Sequence, residues 1–93
     1  MSVTFRIPTI LRAYTAGASE VSITPTGSTV CDAFEALESS YPGIRARVLD
    51  EQGKLRRFVN VYVDEDDVRF SGGLAAPTPQ NARISIIPAV AGG

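Results

Sequence analysis

The chain has 93 residues, of which 44% are hydrophobic and 20% charged, and its formal net charge is −1. This length suits one small domain with a single core, and the composition is typical of a folded chain rather than a disordered one. The nearly balanced charge argues against a nucleic-acid-binding surface, and no apolar run approaches the ~20 residues that span a bilayer. We expect neither nucleic acid nor a membrane among its partners.

The side chains lack the groups on which most enzymes depend. With no histidine and a single cysteine, Cys31, the chain can form neither a Ser-His-Asp triad nor a plausible zinc site. It also has no glycine-rich phosphate-binding motif. We therefore expect a protein that is not an enzyme and holds no metal or cofactor of its own. The lone cysteine and the lack of a secretory signal make the cytoplasm the expected location.

The first part of the chain has the pattern of a hairpin with a long connection. Apolar and polar residues alternate over 3–7, where Pro8 stops the pattern, and again over 21–24. The alternation predicts two half-buried strands that pair with each other, with a loop between them.

A helix is predicted to begin after Thr29. Thr29 and Asp32 have the spacing of a capping box, in which each side chain accepts a hydrogen bond from the other residue's backbone N–H. The tripeptide Tyr41-Pro42-Gly43 should end the helix. Its apolar face consists of Val30, Ala33, Phe34, Leu37 and Tyr41.

The second half of the chain is predicted to consist mainly of strands and turns. The strongest strand signal is at 58–63, which is rich in β-branched and aromatic residues. Residues 64–67 are expected to form a tight turn, 68–70 a short strand and 83–87 the last strand. Between the helix and these strands, a short turn near 48–49 and a loop over 50–53 are predicted.

This order of elements defines a fold class. Two strands, one helix and three further strands indicate an α+β domain with a ubiquitin-like β-grasp fold, in which a mixed sheet packs on one main helix. We assign the β-grasp domain to residues 1–88 and a flexible C-terminal Gly-Gly tail to residues 89–93. The helix face is expected to pack on Phe5, Ile7, Val61 and Ile86.

The sequence ends in Gly92-Gly93. At an average glycine usage of ~7%, two glycines in the last two positions arise by chance in roughly 0.5% of chains. Because neither residue has a Cβ, this segment can thread a narrow channel. The pattern suits a chain terminus that is itself the reacting group, and the alternative is an ordinary solvent-exposed end.

Three stretches resemble the ThiS/MoaD family of sulfur carrier proteins, and the resemblance covers essentially the whole chain. They are IPTILR at 7–12, RFVNVYV at 57–63 with its continuation DDVRFSGGL at 66–74, and IPAVAGG at 87–93. The last stretch is typical of the superfamily. The first two point toward the actinobacterial carriers of cysteine biosynthesis.

The resemblance implies that the carboxylate of Gly93 carries sulfur. In this family a ubiquitin-activating-type enzyme uses ATP to adenylate the carboxylate, and a sulfur donor then replaces AMP to leave a thiocarboxylate. The carrier is a co-substrate, because ATP and the sulfur donor are used by the activating enzyme. Further partners are a sulfur-accepting enzyme, such as a pyridoxal-phosphate-dependent cysteine synthase, and a JAMM-type metallopeptidase.

Sulfur carriers need contacts with these partners, and two groups of residues are candidates. The tail group is Pro88, Ala89, Val90, Ala91 and Gly92. The body group is an apolar patch of Leu55, Phe58, Phe70 and Leu74, together with the charges of Arg57, Arg56 and Arg69. A place in the core is an equal alternative for Phe58, and ordinary surface charge is the alternative for the arginines.

Several functions remain open from the sequence. The resemblance favours sulfur donation for cysteine biosynthesis. The alternatives are sulfur donation for molybdopterin, for a thiosugar-type natural product or for thiazole, and a ubiquitin-like modifier attached to lysines of other proteins.

Overall fold

The computed structural model describes residues 2–57 and 59–88. Its strands are β1 (Val3–Arg6), β2 (Glu20–Ile23), β3 (Val59–Val63), β4 (Asp66–Asp67) and β5 (Arg83–Pro88). Its α-helices are α1 (Val30–Ser40) and α2 (Arg45–Val48), and 3-10 helices cover Thr9–Thr15, Val68–Phe70 and Gly73–Ala75.

The strands form one mixed sheet in the order β2-β1-β5-β3-β4. Strand β1 pairs antiparallel with β2 and parallel with β5, and β3 pairs antiparallel with both β5 and β4. The hairpin of the first two strands is therefore confirmed. A mixed sheet carrying one main helix is the predicted β-grasp fold.

Helix α1 covers one face of this sheet. Side chains on the long strands are buried at alternate positions, as in β1, where Val3 and Phe5 point into the core. The rings of Phe5 and Phe34 lie 5.1 Å apart, centroid to centroid, with a tilt of 58° between their planes. The predicted contact between helix and sheet is confirmed, because one buried cluster contains Val30, Phe34, Leu37, Phe5, Ile7, Val61 and Ile86.

The start of α1 follows the predicted capping box. The Thr29 hydroxyl oxygen accepts a hydrogen bond from the backbone N–H of Asp32 at 3.2 Å, and Asp32 Oδ2 accepts one from the backbone N–H of Thr29 at 3.3 Å. At the other end, the Glu38 carboxylate accepts hydrogen bonds from the backbone N–H groups of Gly43 and Arg45 at 2.8 and 2.9 Å. Glu38 thus ties the end of α1 to the start of α2.

The prediction for residues 64–70 is wrong in its details. The turn is confined to residues 64 and 65, and Asp66–Asp67 form β4. Residues 68–70 form a 3-10 helix rather than a strand, because Asp67 Oδ1 accepts the backbone N–H of Arg69 at 2.9 Å and so caps a helical turn. Val68 is fully buried while Phe70 is 89% exposed, so the two do not share a strand face.

Two other short elements were predicted only as a loop and a turn. The connection after Pro8 contains the 3-10 helix Thr9–Thr15, whose Leu11 is buried against the core. The turn expected near 48–49 is the end of α2, a single helical turn, and both Val48 and Leu49 are buried there. Within residues 2–57 and 59–88, no helix is both long and apolar enough to cross a membrane.

Candidate functional site

The predicted tail is attached at the end of an interior strand. Strand β5 lies between β1 and β3, and its last residue, Pro88, is in register with Val59. Two neighbouring strands therefore fix the position from which the rest of the chain continues. Six residues with a predicted role lie outside the described residues: Phe58, Ala89, Val90, Ala91, Gly92 and Gly93.

Apolar side chains are exposed beside this attachment point. Along β5 the inward positions are Ile84 and Ile86, so Ile87 points to the open face of the sheet, where it is 46% exposed. Across from it, on the 3-10 helix after β1, Ile10 is 69% exposed. We call Pro8, Ile10, Ile87 and Pro88, together with the buried Ile86 that lines the same grooves, the β5-end surface.

Two grooves adjoin the β5-end surface and share Pro8, Ile10, Ile86 and Pro88. One, of about 300 Å³, continues between the 3-10 helix and α2. The other, of about 440 Å³, continues along β1 and β5 over the open side of the sheet. The shared residues are apolar, and the charged side chains at the margins are Arg47 and Arg56 in the first groove and Arg6 and Arg12 in the second.

The predicted apolar body patch is brought together in part. Leu55 and Leu74 are half-buried, pack against the core and line one shallow pocket of about 460 Å³ together with Arg69. Phe70 is 89% exposed on the adjoining 3-10 helix. Arg57 is exposed, as a residue available to a partner must be.

Arg69 connects this patch to the open face of the sheet. Its guanidinium donates hydrogen bonds to Asn60 Oδ1 at 2.6 Å and to the backbone carbonyl of Arg56 at 2.8 Å. Asn60 is the register partner of Ile87 on β5. The Leu55 and Leu74 pocket and the β5-end surface are therefore neighbours on one side of the molecule.

Ile10 and Ile87 were not among the residues predicted from the sequence to contact a partner. For Ile87 a signal was present: with Ile84 and Ile86 pointing inward, period-2 alternation places an isoleucine at 87 on the outer face. For Ile10 the resemblance stretch at 7–12 marked the segment. Its exposure depends on a 3-10 helix that the sequence pattern does not reveal.

Comparison with known proteins places this architecture in a family. The model of the ThiS family matches residues 5–93. The chain is 50% identical to the sulfur carrier protein CysO of Mycobacterium tuberculosis, and both chains are covered completely. It is 33% identical over 66 residues to small archaeal modifier protein 3 of Haloferax volcanii, with 71% of each chain covered.

A solved structure agrees with the sequence comparison. A chain in the crystal structure of the Amycolatopsis orientalis BexX/CysO complex superposes with a TM-score of 0.87 at 49% identity, covering 98% of this chain and 99% of that one. The chain therefore belongs to the ThiS family. Within the family it is a sulfur carrier protein of the CysO type, which confirms the resemblance carried by its three sequence stretches.

Proposed function

We propose that the α-carboxylate of Gly93 is the sulfur-carrying group and that the sulfur is used to make cysteine. The observation that carries this proposal is the ThiS-family match, which extends through Gly93 over a chain of the CysO type. The chain's own inventory supports it, because a sequence without histidine offers few competing reactive groups.

The proposed activation has two steps. The Gly93 carboxylate attacks the α-phosphorus of ATP, which gives an acyl-adenylate and releases pyrophosphate. A sulfide equivalent then adds to the acyl carbon, AMP leaves, and the terminus becomes a thiocarboxylate. An ionised carboxylate is a poor acyl donor, so adenylation is needed to provide a leaving group. The ATP and the sulfur donor belong to a ubiquitin-activating-type partner enzyme.

The proposed sulfur transfer uses the thiocarboxylate as a nucleophile. Its sulfur replaces the phosphate of O-phosphoserine on a pyridoxal-phosphate-dependent synthase, which links the carrier to the new side chain through a thioester. The amino group of the product attacks the same carbonyl, sulfur leaves as a thiol, and an amide forms. A JAMM-type metallopeptidase would then hydrolyse the amide, release cysteine and restore the Gly93 carboxylate.

The test is to follow the mass of the carrier through the transfer. We expect the thiocarboxylate form, mixed with O-phosphoserine and the synthase, to yield a carrier that is heavier than the carboxylate form by one cysteine residue. The chain without Gly93 is the matched control and should gain nothing. Absence of the adduct, together with efficient sulfur transfer to a molybdopterin precursor, would assign the chain to that pathway instead.

Protein modification is the second candidate, favoured by the similarity to a protein named as a modifier. The same activated terminus would then form an isopeptide bond with lysines of other proteins. Peptides bearing a Gly-Gly remnant from this chain, recovered from cells, would support this role, and a cysteinyl adduct without such peptides would argue against it.

A further inference from the structure

Two arginines beside the β5-end surface, Arg12 and Arg47, are held by uncharged acceptors. Arg12 Nε donates to the backbone carbonyl of Ile7 at 3.2 Å, and Arg47 Nε donates to the Tyr14 hydroxyl at 2.6 Å. Each contact orients the guanidinium without neutralising its charge. Among residues 2–57 and 59–88, no carboxylate oxygen lies within 4.0 Å of either side chain's nitrogens.

The two other arginines at the grooves are partly compensated. Arg6 Nε lies 3.8 Å from the Glu20 carboxylate, which also accepts a hydrogen bond from Arg83 at 3.1 Å. Arg56 donates to the backbone carbonyl of Ala46 and lies near Asp50. The pKa of Asp50 is lowered chiefly by the backbone N–H of Lys54, with a smaller contribution from Arg56. Arg12 and Arg47 are thus the least compensated charges of the set.

The charges are distributed unevenly along the molecule although the net charge is only −1. No acidic side chain among the described residues lines either groove at the β5-end surface. The exposed carboxylates of Asp64, Glu65 and Asp66 lie at the opposite end of the sheet, where β3 turns into β4. This separation gives the end that carries Pro88 a positive potential relative to the other end.

We propose that the β5-end surface docks onto a partner-enzyme surface in which an apolar side chain is flanked by carboxylates, with Arg12 and Arg47 guiding the approach. This inference rests on the proposed function, because it takes the partner to be an enzyme that receives the tail. Exposed Ile10 and Ile87 supply the apolar centre and the arginines the rim, the arrangement typical of protein interfaces. Nucleic acid would not need the apolar centre.

The geometry favours this docking in two ways. Arginines already held by hydrogen bonds lose less side-chain entropy when they meet a carboxylate, so less of the contact energy is lost to ordering. Rim charges mainly raise the association rate, and an uneven charge distribution turns the molecule so that the positive end arrives first. The end of the folded molecule at which Pro88 lies would therefore face the partner at first contact.

The experiment measures binding of the full chain to the A. orientalis BexX protein. Arg47 is exposed, so Arg47→Gln should leave the fold intact. We expect it to slow association at low salt by about two- to fivefold, and Arg12→Gln/Arg47→Gln by about tenfold. Arg83→Gln is the matched control: it removes the same charge from an exposed arginine outside both grooves and should associate as fast as the wild type.

Two further measurements separate the contribution of the arginine charges from that of the apolar contacts. At about 1 M salt, where the Debye length is ~3 Å, the difference between the variants and the wild type should disappear. Ile10→Ala should instead speed dissociation at any salt concentration, because it removes apolar contact rather than charge. Equal melting temperatures would show that all the variants are folded.

The outcomes distinguish docking from sulfur chemistry. A chain lacking Gly92 and Gly93 should still bind through its body yet accept no sulfur. The docking proposal would be overturned if the double arginine variant associated as fast as the wild type, or if the wild type did not bind. The sulfur proposal would still stand. Sulfur uptake by the truncated chain would overturn the sulfur proposal without affecting the docking result.

Discussion

Asp32 makes a small residue necessary at position 27. Its Oδ2 accepts hydrogen bonds from both the hydroxyl and the backbone N–H of Thr29, at 2.9 and 3.3 Å. A Cβ placed on Gly27 would overlap the Asp32 carboxylate. The capping box at the start of α1 therefore requires a residue outside the motif to stay small.

We predict that Gly27→Ala lowers the free energy of unfolding by ~1 kcal/mol, the typical value of a lost N-cap. The added methyl group should push the Asp32 carboxylate away from Thr29, and urea denaturation would measure the loss. Ser28→Ala, at an exposed neighbouring position, is the matched control and should change stability little. Equal stability of the two variants would show that the cap adjusts to the methyl group.

Residue-level features differ in how well the sequence predicts them. The capping box follows from the three-residue spacing between Thr29 and Asp32, so the sequence alone is enough to predict it. The position of Arg47 depends on Tyr14, 33 residues away in the sequence. The constraint on Gly27 and the contact of Arg12 with Ile7 depend on the path of an irregular backbone. No local pattern records that information.

At the scale of elements, α1 stabilises the fold by packing its apolar side chains on one face of the sheet. Phe34 is fully buried and meets Phe5 of β1, so one contact joins the helix to the strand beside β5. Aromatic side chains of this size bury much apolar surface, and removal of one leaves a cavity.

Phe34→Ala should therefore destabilise the protein by ~3–5 kcal/mol, a large part of the stability of a domain this size. Chemical denaturation followed by circular dichroism would measure it. Glu35→Ala, on the exposed side of the same helix, should cost little by comparison. Similar losses in both variants would mean that the helix does not contribute through its buried face.

The long periodic elements were predictable, and the short ones were not. Alternation indicated β1 and β2, β-branched and aromatic residues indicated β3, an apolar run indicated β5, and helical spacing indicated α1. The 3-10 helices at Thr9–Thr15 and Val68–Phe70 are too short to show a period. Each also buries one side chain in the core, Leu11 in the first and Val68 in the second, which the sequence pattern does not reveal.

At the scale of the whole molecule, we propose that reaction and recognition belong to different parts of the chain. The reacting carboxylate is proposed at Gly93, while Ile10, Ile87 and the arginines belong to the folded body. Fixing each backbone residue costs ~1–2 kcal/mol in conformational entropy, so holding residues 89–93 in a channel would cost on the order of 5–10 kcal/mol. Those five residues have little side-chain surface to offset the cost.

A synthetic peptide of residues 88–93 should therefore be a much poorer substrate than the whole chain. We expect its kcat/KM for adenylation to fall by at least about a hundredfold, equivalent to ~2.7 kcal/mol of lost binding. Pyrophosphate release by the activating enzyme would measure both substrates. Comparable values would show that the body contributes nothing to recognition.

The most direct test of the sulfur-carrier mechanism locates sulfur within the chain. The protein would be incubated with its activating enzyme, ATP and a sulfide source, and then analysed by intact-mass and fragmentation mass spectrometry. We predict that one oxygen is replaced by sulfur and that the replacement lies in the fragment containing Gly93. Sulfur on Cys31, or sulfur uptake by a chain without Gly93, would contradict the mechanism.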